Sequence, residues 1–200
     1  MDLMEKYEGS YNYLFGCSQP QMYELVRENY PVLFEKIRKK IQEDKWECQG
    51  VMWVESDTNI PSGESLIRQI LYGKRYFEEM FNKEIDVCFL PDVFGYSAVL
   101  PQLLAKSGTK YFMTQKLNMN DTNVFPHHTF MWEGMDGSRV LTHMMPESTY
   151  NSQVIPQIVM YGRRNFKNKD VSNEAIQLFG IGDGGGGPGP EHIERLIRND

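Results

Sequence analysis

Two hundred residues suffice for one well-buried domain, and no polar or Pro/Ser-rich linker divides them, so 1–200 reads as a single domain. A formal net charge of −6, with acids and bases evenly scattered, excludes the clustered basic footprint of a nucleic-acid surface. No apolar stretch approaches the roughly 18 residues that span a bilayer, and Met1-Asp2-Leu3-Met4-Glu5-Lys6 lacks a basic-then-apolar export signal, so no membrane and a cytoplasmic location are expected.

In chain order, short apolar runs alternate with helical patterns, the signature of a mostly parallel sheet wrapped by helices. Tyr13-Leu14-Phe15 reads as the first strand, followed by a helix over 19–28. Pro31 opens a second helix with Leu33, Ile37 and Ile41 on one face, and its basic run, Lys36-Ile37-Arg38-Lys39-Lys40, is expected on the solvated side. The apolar stretch 50–54 reads as the second strand. The polar loop 55–65 ends in capping residues before a long helix carrying Leu66, Ile70, Leu71 and Phe77.

The stretch 87–97 is the most informative. Val87-Cys88-Phe89-Leu90 is too short for a helix and is bounded by Pro91, so it reads as a buried parallel strand. It ends on Asp92. Gly95 relaxes the turn, Ser97 is the expected cap of a helix through Leu100, Leu103 and Leu104, Pro101 is tolerated in its first turn, and Gly108 closes it. The next strand is expected over 111–115. Asp92 therefore sits at the carboxyl end of a strand in a strand–helix–strand unit, where α/β folds place catalytic groups.

Thr129-Phe130-Met131-Trp132-Glu133 and Arg139-Val140-Leu141-Thr142-His143 flank an Asp-Gly turn and predict an antiparallel β-hairpin excursion from the parallel rhythm. Residues 144–173 show no clear periodicity. A further strand is expected over 177–181, running into the glycine-rich loop 182–187, and Pro190-Glu191 opens a last helix that the chain leaves unfinished, which suggests a longer parent protein.

Asp183 repeats the arrangement of Asp92, and two acids on neighbouring loop tips can flank one glycosidic bond, since retaining glycosidases hold their two carboxyls about 5–5.5 Å apart. A flexible glycine connector is the plainer reading of 182–187, and a formal Gly-x-Gly-x-x-Gly match at Gly180, Gly182 and Gly185 permits a phosphate loop. His127, His128, His143 and His192 form no spaced zinc pair; His127-His128 reads as a solvated turn, His143 as packed or sugar-facing, His192 as surface. Trp53 and Trp132 lie near strand ends, where an indole can stack on a sugar or pack in the core. Cys17, Cys48 and Cys88, widely spaced and without a Cys-x-x-Cys pair, are expected as buried, reduced thiols.

Four motifs then carry a resemblance. Trp53-Val54-Glu55 through Asn59-Ile60-Pro61-Ser62-Gly63-Glu64-Ser65, Leu71-Tyr72-Gly73-Lys74-Arg75, Leu90-Pro91-Asp92-Val93-Phe94-Gly95-Tyr96-Ser97, and Phe179-Gly180-Ile181-Gly182-Asp183 with its glycines resemble, in order, the N-terminal catalytic domain of glycoside hydrolase family 38, the alpha-mannosidases, closest to the bacterial, fungal and cytosolic branch. The resemblance implies α/β architecture, part of a seven-stranded (β/α) barrel, and a zinc-dependent enzyme that releases terminal alpha-mannose from oligosaccharides with retention. It assigns Asp92 as nucleophile and metal ligand; Asp183 is the candidate acid/base by its position at a strand end, and Trp53, Trp132 and His143 stand as candidate sugar contacts from their own positions. The family's other zinc ligands, a His-x-Asp pair at the end of the first strand and a later histidine, are not in this chain, so the isolated piece is expected to be inert. Pro188-Gly189-Pro190 also departs from the family's Pro-Thr. A zinc-dependent polysaccharide deacetylase and a non-catalytic carbohydrate-binding or pseudo-enzyme domain are the alternatives.

Overall fold

The computed structural model describes residues 1–9, 11, 14–183 and 186–199. Among them lie six strands and seven α-helices. After a short α1 (Asp2–Lys6), β1 (Phe15–Cys17) leads into α2 (Pro20–Asn29) and α3 (Pro31–Gln42), then β2 (Trp46–Cys48) and the long α4 (Gly63–Phe81). The central unit is β3 (Val87–Leu90), α5 (Leu100–Lys106) and β4 (Tyr111–Thr114), followed by β5 (Thr129–Glu133), β6 (Arg139–Met144), α6 (Pro156–Asn165) and α7 (Pro190–Asn199). The fold is mixed α/β. Two sheets form, parallel β1-β2 and a four-stranded sheet ordered β3-β4-β6-β5, parallel except for the β5-β6 hairpin. The described strands thus do not themselves close a barrel. Val51 N–H donates to Val87 O at 3.1 Å and stitches the two sheets together.

The expected β3-α5-β4 unit and the hairpin are present in register. Gly108, at φ +72°, ends α5 with Gly108 N–H on Ala105 O and Thr109 N–H on Leu104 O, a Schellman closure. Ser97 does not cap α5. Its N–H donates to Thr58 Oγ1 and its carbonyl accepts from Leu100, while Val99 takes the N-cap position.

Other expectations shift for identifiable reasons. The first strand lies at 15–17, not 13–15, and Tyr13 falls outside the described residues. The second is Trp46–Cys48 instead of 50–54, because Trp53 N–H and Val54 N–H turn to Gln69 O and Gln69 Oε1 on α4 and so leave no ladder to extend. Residues 177–181 make only a single bridge, Ser152 to Phe179.

On α3 the buried stripe is Phe34, Ile37 and Ile41, with Leu33 outside it. Lys40 from the basic run is buried on Glu43 at 2.9 Å. Leu66, Ile70 and Phe77 of α4 face the core while Leu71 is exposed, and Ser62 caps that helix by accepting from Ser65 N–H. The core is aromatic on one side, with Tyr23 edge-on to Phe77 and Phe81, and Trp46 N–H donating to the Tyr23 hydroxyl. Cys17, Cys48 and Cys88 are free thiols, the last two buried, and burial pushes Cys48 up to about 12. No helix among the described residues is long and apolar enough to cross a membrane.

Candidate active site

Asp92 follows β3 directly, since Pro91 ends the ladder and releases the next residue at the carboxyl edge of the sheet. Its carboxylate is partly exposed and doubly held. Lys116 Nζ lies 2.6 Å from Oδ1 and the Tyr150 hydroxyl donates to the same oxygen at 2.8 Å. The Lys116 ammonium holds the Asp92 carboxyl below its ordinary value against the opposing effect of burial, and the Tyr150 hydroxyl adds to the lowering. Asp92 is therefore an ionised carboxylate, the state a nucleophile requires.

Lys116 comes from the turn after β4, so two adjacent parallel strands deliver the acid and its counter-charge to the same edge. Its ammonium also sits 4.7 Å from the centre of the Phe94 ring and 5.7 Å from that of Tyr150. Phe94, 81% exposed, presents an open apolar face beside the carboxylate. Tyr150 is placed by the irregular segment after β6. Sequence reading did not single out Lys116, Tyr150 or Phe94, although Lys116 obeys the same strand-end rule as Asp92.

The loop after 51–54 closes on this edge. Thr58, 2% exposed, donates to Gly95 O at 3.3 Å and accepts from Ser97 N–H at 3.1 Å, so it clamps loop 55–62 onto the Asp92 turn. Glu55, at the head of that loop, accepts from Gln19 Nε2 at 3.1 Å and Ser18 Oγ at 3.4 Å. Burial raises its pKa, and the charge of Asp92 adds to the rise.

Asp183 is exposed in the turn after 177–182, and its charge reaches the Tyr150 hydroxyl, which is bonded to Asp92. Gly184 and Gly185 lie outside the described residues, and with them the last glycine of the Gly180, Gly182, Gly185 pattern. The remaining candidate sugar contacts, Trp53, Trp132 and His143, are partly buried and have packing or hydrogen-bond partners of their own. Trp53 is edge-on to Tyr76 at 5.5 Å with its N–H on Gln21 Oε1, and Trp132 packs on Phe112 at 5.3 Å. Both indoles pack against the core while remaining partly exposed. His143 has Nδ1 on Thr129 Oγ1 and Nε2 accepting from Ile176 N–H.

Two other histidines are buried where exposure was expected. His192 is 6% exposed, stacks on Phe179 and accepts from Gly189 N–H, which makes it the latch of the α7 entry. His128 is 2% exposed, and its Nδ1 accepts from Lys167 N–H at 3.1 Å. Burial, then the charges of Lys167 and His143, lower it to about 4. The folded state thus keeps His128 neutral while the unfolded chain protonates near the ordinary value of about 6.5. Its contribution to stability is complete above that value and is lost as the pH falls toward 4. Histidine C2–H resonances followed by NMR titration are expected to show His128 titrating at about 4; titration at the ordinary value would refute its buried neutral state.

The resemblance implies zinc, an ion with a definite demand on its donors. Tetrahedral zinc takes three or four N, S or O donors. Among the described residues no group of three or more His, Cys, Asp or Glu is suited to a metal, and Asp92 already holds an ammonium. These residues alone do not fit a zinc centre.

A strand-end carboxylate held ionised on a parallel sheet, with an open aromatic face beside it, defines an α/β protein with an anionic catalytic-type site. The chain belongs to a glycoside hydrolase family, Glycosyl hydrolases family 38 N-terminal domain, which matches residues 1–199. It is 52% identical over 182 residues to "Alpha-mannosidase G" of Dictyostelium discoideum, covering 91% of this chain and 17% of the relative. It is 43% identical over 198 residues to "Alpha-mannosidase 2C1" of Homo sapiens, covering 99% of this chain and 19% of that protein. The chain thus spans less than a fifth of the length of these relatives. An alpha-mannosidase structure from Enterococcus faecalis V583 shares the fold with a TM-score of 0.72 at 17% identity, over 99% of this chain and 23% of that one.

Proposed function

We propose that the protein carrying this chain is a retaining alpha-mannosidase acting on terminal alpha-mannose in oligosaccharides. The observation that carries the reading is Asp92, held ionised by Lys116 and Tyr150 beside an exposed ring. Asp92 attacks the anomeric carbon from the face opposite the aglycone and forms a mannosyl ester as the glycosidic C–O bond breaks. Asp183 is the candidate that protonates the departing oxygen and then takes a proton from the water that cleaves the ester. Phe94 offers its face to the apolar side of the ring.

In this reading the two sheets are arcs of a seven-stranded (β/α) barrel, and the chain is a central piece of its catalytic domain, inert alone. Zinc dependence would require ligands outside this chain, and no step is assigned to the metal. The three free thiols support a reducing, cytoplasmic location.

The test is hydrolysis of an aryl alpha-mannoside by the protein carrying this chain, by the chain alone, and after chelation with zinc restored. Release by the protein, loss on chelation and recovery with zinc, with none from the chain alone, are expected. No release under any metal would overturn the reading.

A further inference from the structure

Glu55 stands in the same edge as Asp92 without a part in the chemistry above. Three elements converge to hold it. Ser18 and Gln19 lie just past the carboxyl end of β1, and both donate to the same oxygen, Oε1. Gln19 does so from a backbone at φ +65°, a left-handed conformation that a non-glycine residue adopts at a cost of about 1–3 kcal/mol and that clusters at functional sites. Thr58 then fastens the same loop to Gly95 and Ser97 of the Asp92 turn. The other oxygen, Oε2, has no hydrogen-bond partner among the described residues, and it is not one of the sealed, unpartnered buried atoms. A carboxyl clamped through one oxygen and unpartnered at the other, on a loop fastened to the Asp92 turn, is built to receive something.

We propose that Glu55 is a specificity-determining residue, whose free Oε2 takes a hydroxyl of the sugar ring that Asp92 attacks. The inference rests on the glycosidase reading.

The clamp makes Glu55→Gln diagnostic. Gln19 Nε2 and Ser18 Oγ are donors, so they fix the amide oxygen in the clamped position and force the NH2 into the free one. The substitution keeps volume and exchanges an acceptor for a donor where the sugar binds. In the protein carrying this chain, kcat/KM for an aryl alpha-mannoside is expected to fall about 10- to 100-fold, mostly through KM. The thermal midpoint stays at the wild-type value.

Across the 2-, 3-, 4- and 6-deoxy mannosides, the ratio of wild type to variant should collapse to one for a single deoxy sugar, the one lacking the hydroxyl that Glu55 holds. Glu55→Asp, which withdraws the carboxyl but keeps its chemistry, should show the same pattern. An equal loss on every deoxy sugar, no loss at all, or a loss that disappears with a dinitrophenyl leaving group would overturn the proposal, the last because it marks a proton donor. Methyl alpha-mannoside binding to Asp92→Asn protein separates the two levels: binding that Glu55→Gln leaves untouched sinks this inference alone, whereas no binding and no wild-type turnover sink the glycosidase reading with it.

Discussion

Asp92→Asn in the protein carrying this chain is expected to lower kcat by at least about a thousand-fold, as removal of a catalytic group acting in concert with others does. One oxygen becomes one NH2, so volume and shape are kept while the attacking lone pair is lost. The fold should barely notice. The Asp92 side chain is 47% exposed, and ion pairs with a solvent-exposed carboxylate contribute about 0–1 kcal/mol. Lys116 also keeps its place over Phe94 at 4.7 Å when its anion is gone. Unchanged thermal melting with lost hydrolysis is the expected combination. A further arm tests the role itself: in Asp92→Gly, azide entering the vacated face should displace the aglycone and give beta-mannosyl azide, one bond formed as one breaks. Retention of more than a tenth of wild-type turnover by Asp92→Asn would remove the nucleophile assignment.

The legible parts of this fold are those whose signal is local. The β3-α5-β4 unit was readable because apolar runs bounded by Pro91 and Gly108 carry their own stops, and the hairpin because Asp136-Gly137 sets its turn at φ +81°. Misplaced elements had their backbone partners decided at a distance. Residues 51–54 look like a strand by composition, yet the N–H groups of Trp53 and Val54 are drawn to Gln69. Trp46–Cys48 has no apolar run to announce it, and pairs with β1 because Trp46 lands on Phe15 and Tyr23. The site divides in the same way. Asp92 follows from its own strand, but its partners stand 24 and 58 residues further on and Glu55 lies 37 before it, so no periodicity links them. His128 and His192 were read as exposed because nothing near them in sequence says that Phe166 and Phe179 cover them.

Gly73 accounts for the Leu71-Tyr72-Gly73-Lys74-Arg75 motif and carries the largest stability effect expected from adding a single methyl group. It lies inside α4, where alanine would ordinarily improve helix propensity by about 1 kcal/mol. Here α4 crosses the 51–52 backbone so closely that a Cβ on Gly73 would penetrate the Val51 carbonyl oxygen, with Val51 C at 2.8 Å and Met52 C at 2.9 Å. These atoms cannot rotate away, because they are backbone and Val51 and Met52 are both buried. Nor is Val51 free to shift, since its N–H stitches the two sheets at Val87 O. The clash therefore exceeds the propensity gain, and Gly73→Ala is expected to destabilise the protein by about 3 kcal/mol, the upper end of overpacking costs. Relief can come only by lifting the 51–54 segment, and Glu55 follows it directly. Gly73→Ala should accordingly lower the thermal midpoint and, in whatever folded protein remains, reproduce the Glu55→Gln rise in KM without the loss of kcat seen in Asp92→Asn. A wild-type midpoint for Gly73→Ala would show that the contact is looser than the structure has it, and a wild-type KM in the destabilised variant would separate Glu55 from the packing of α4.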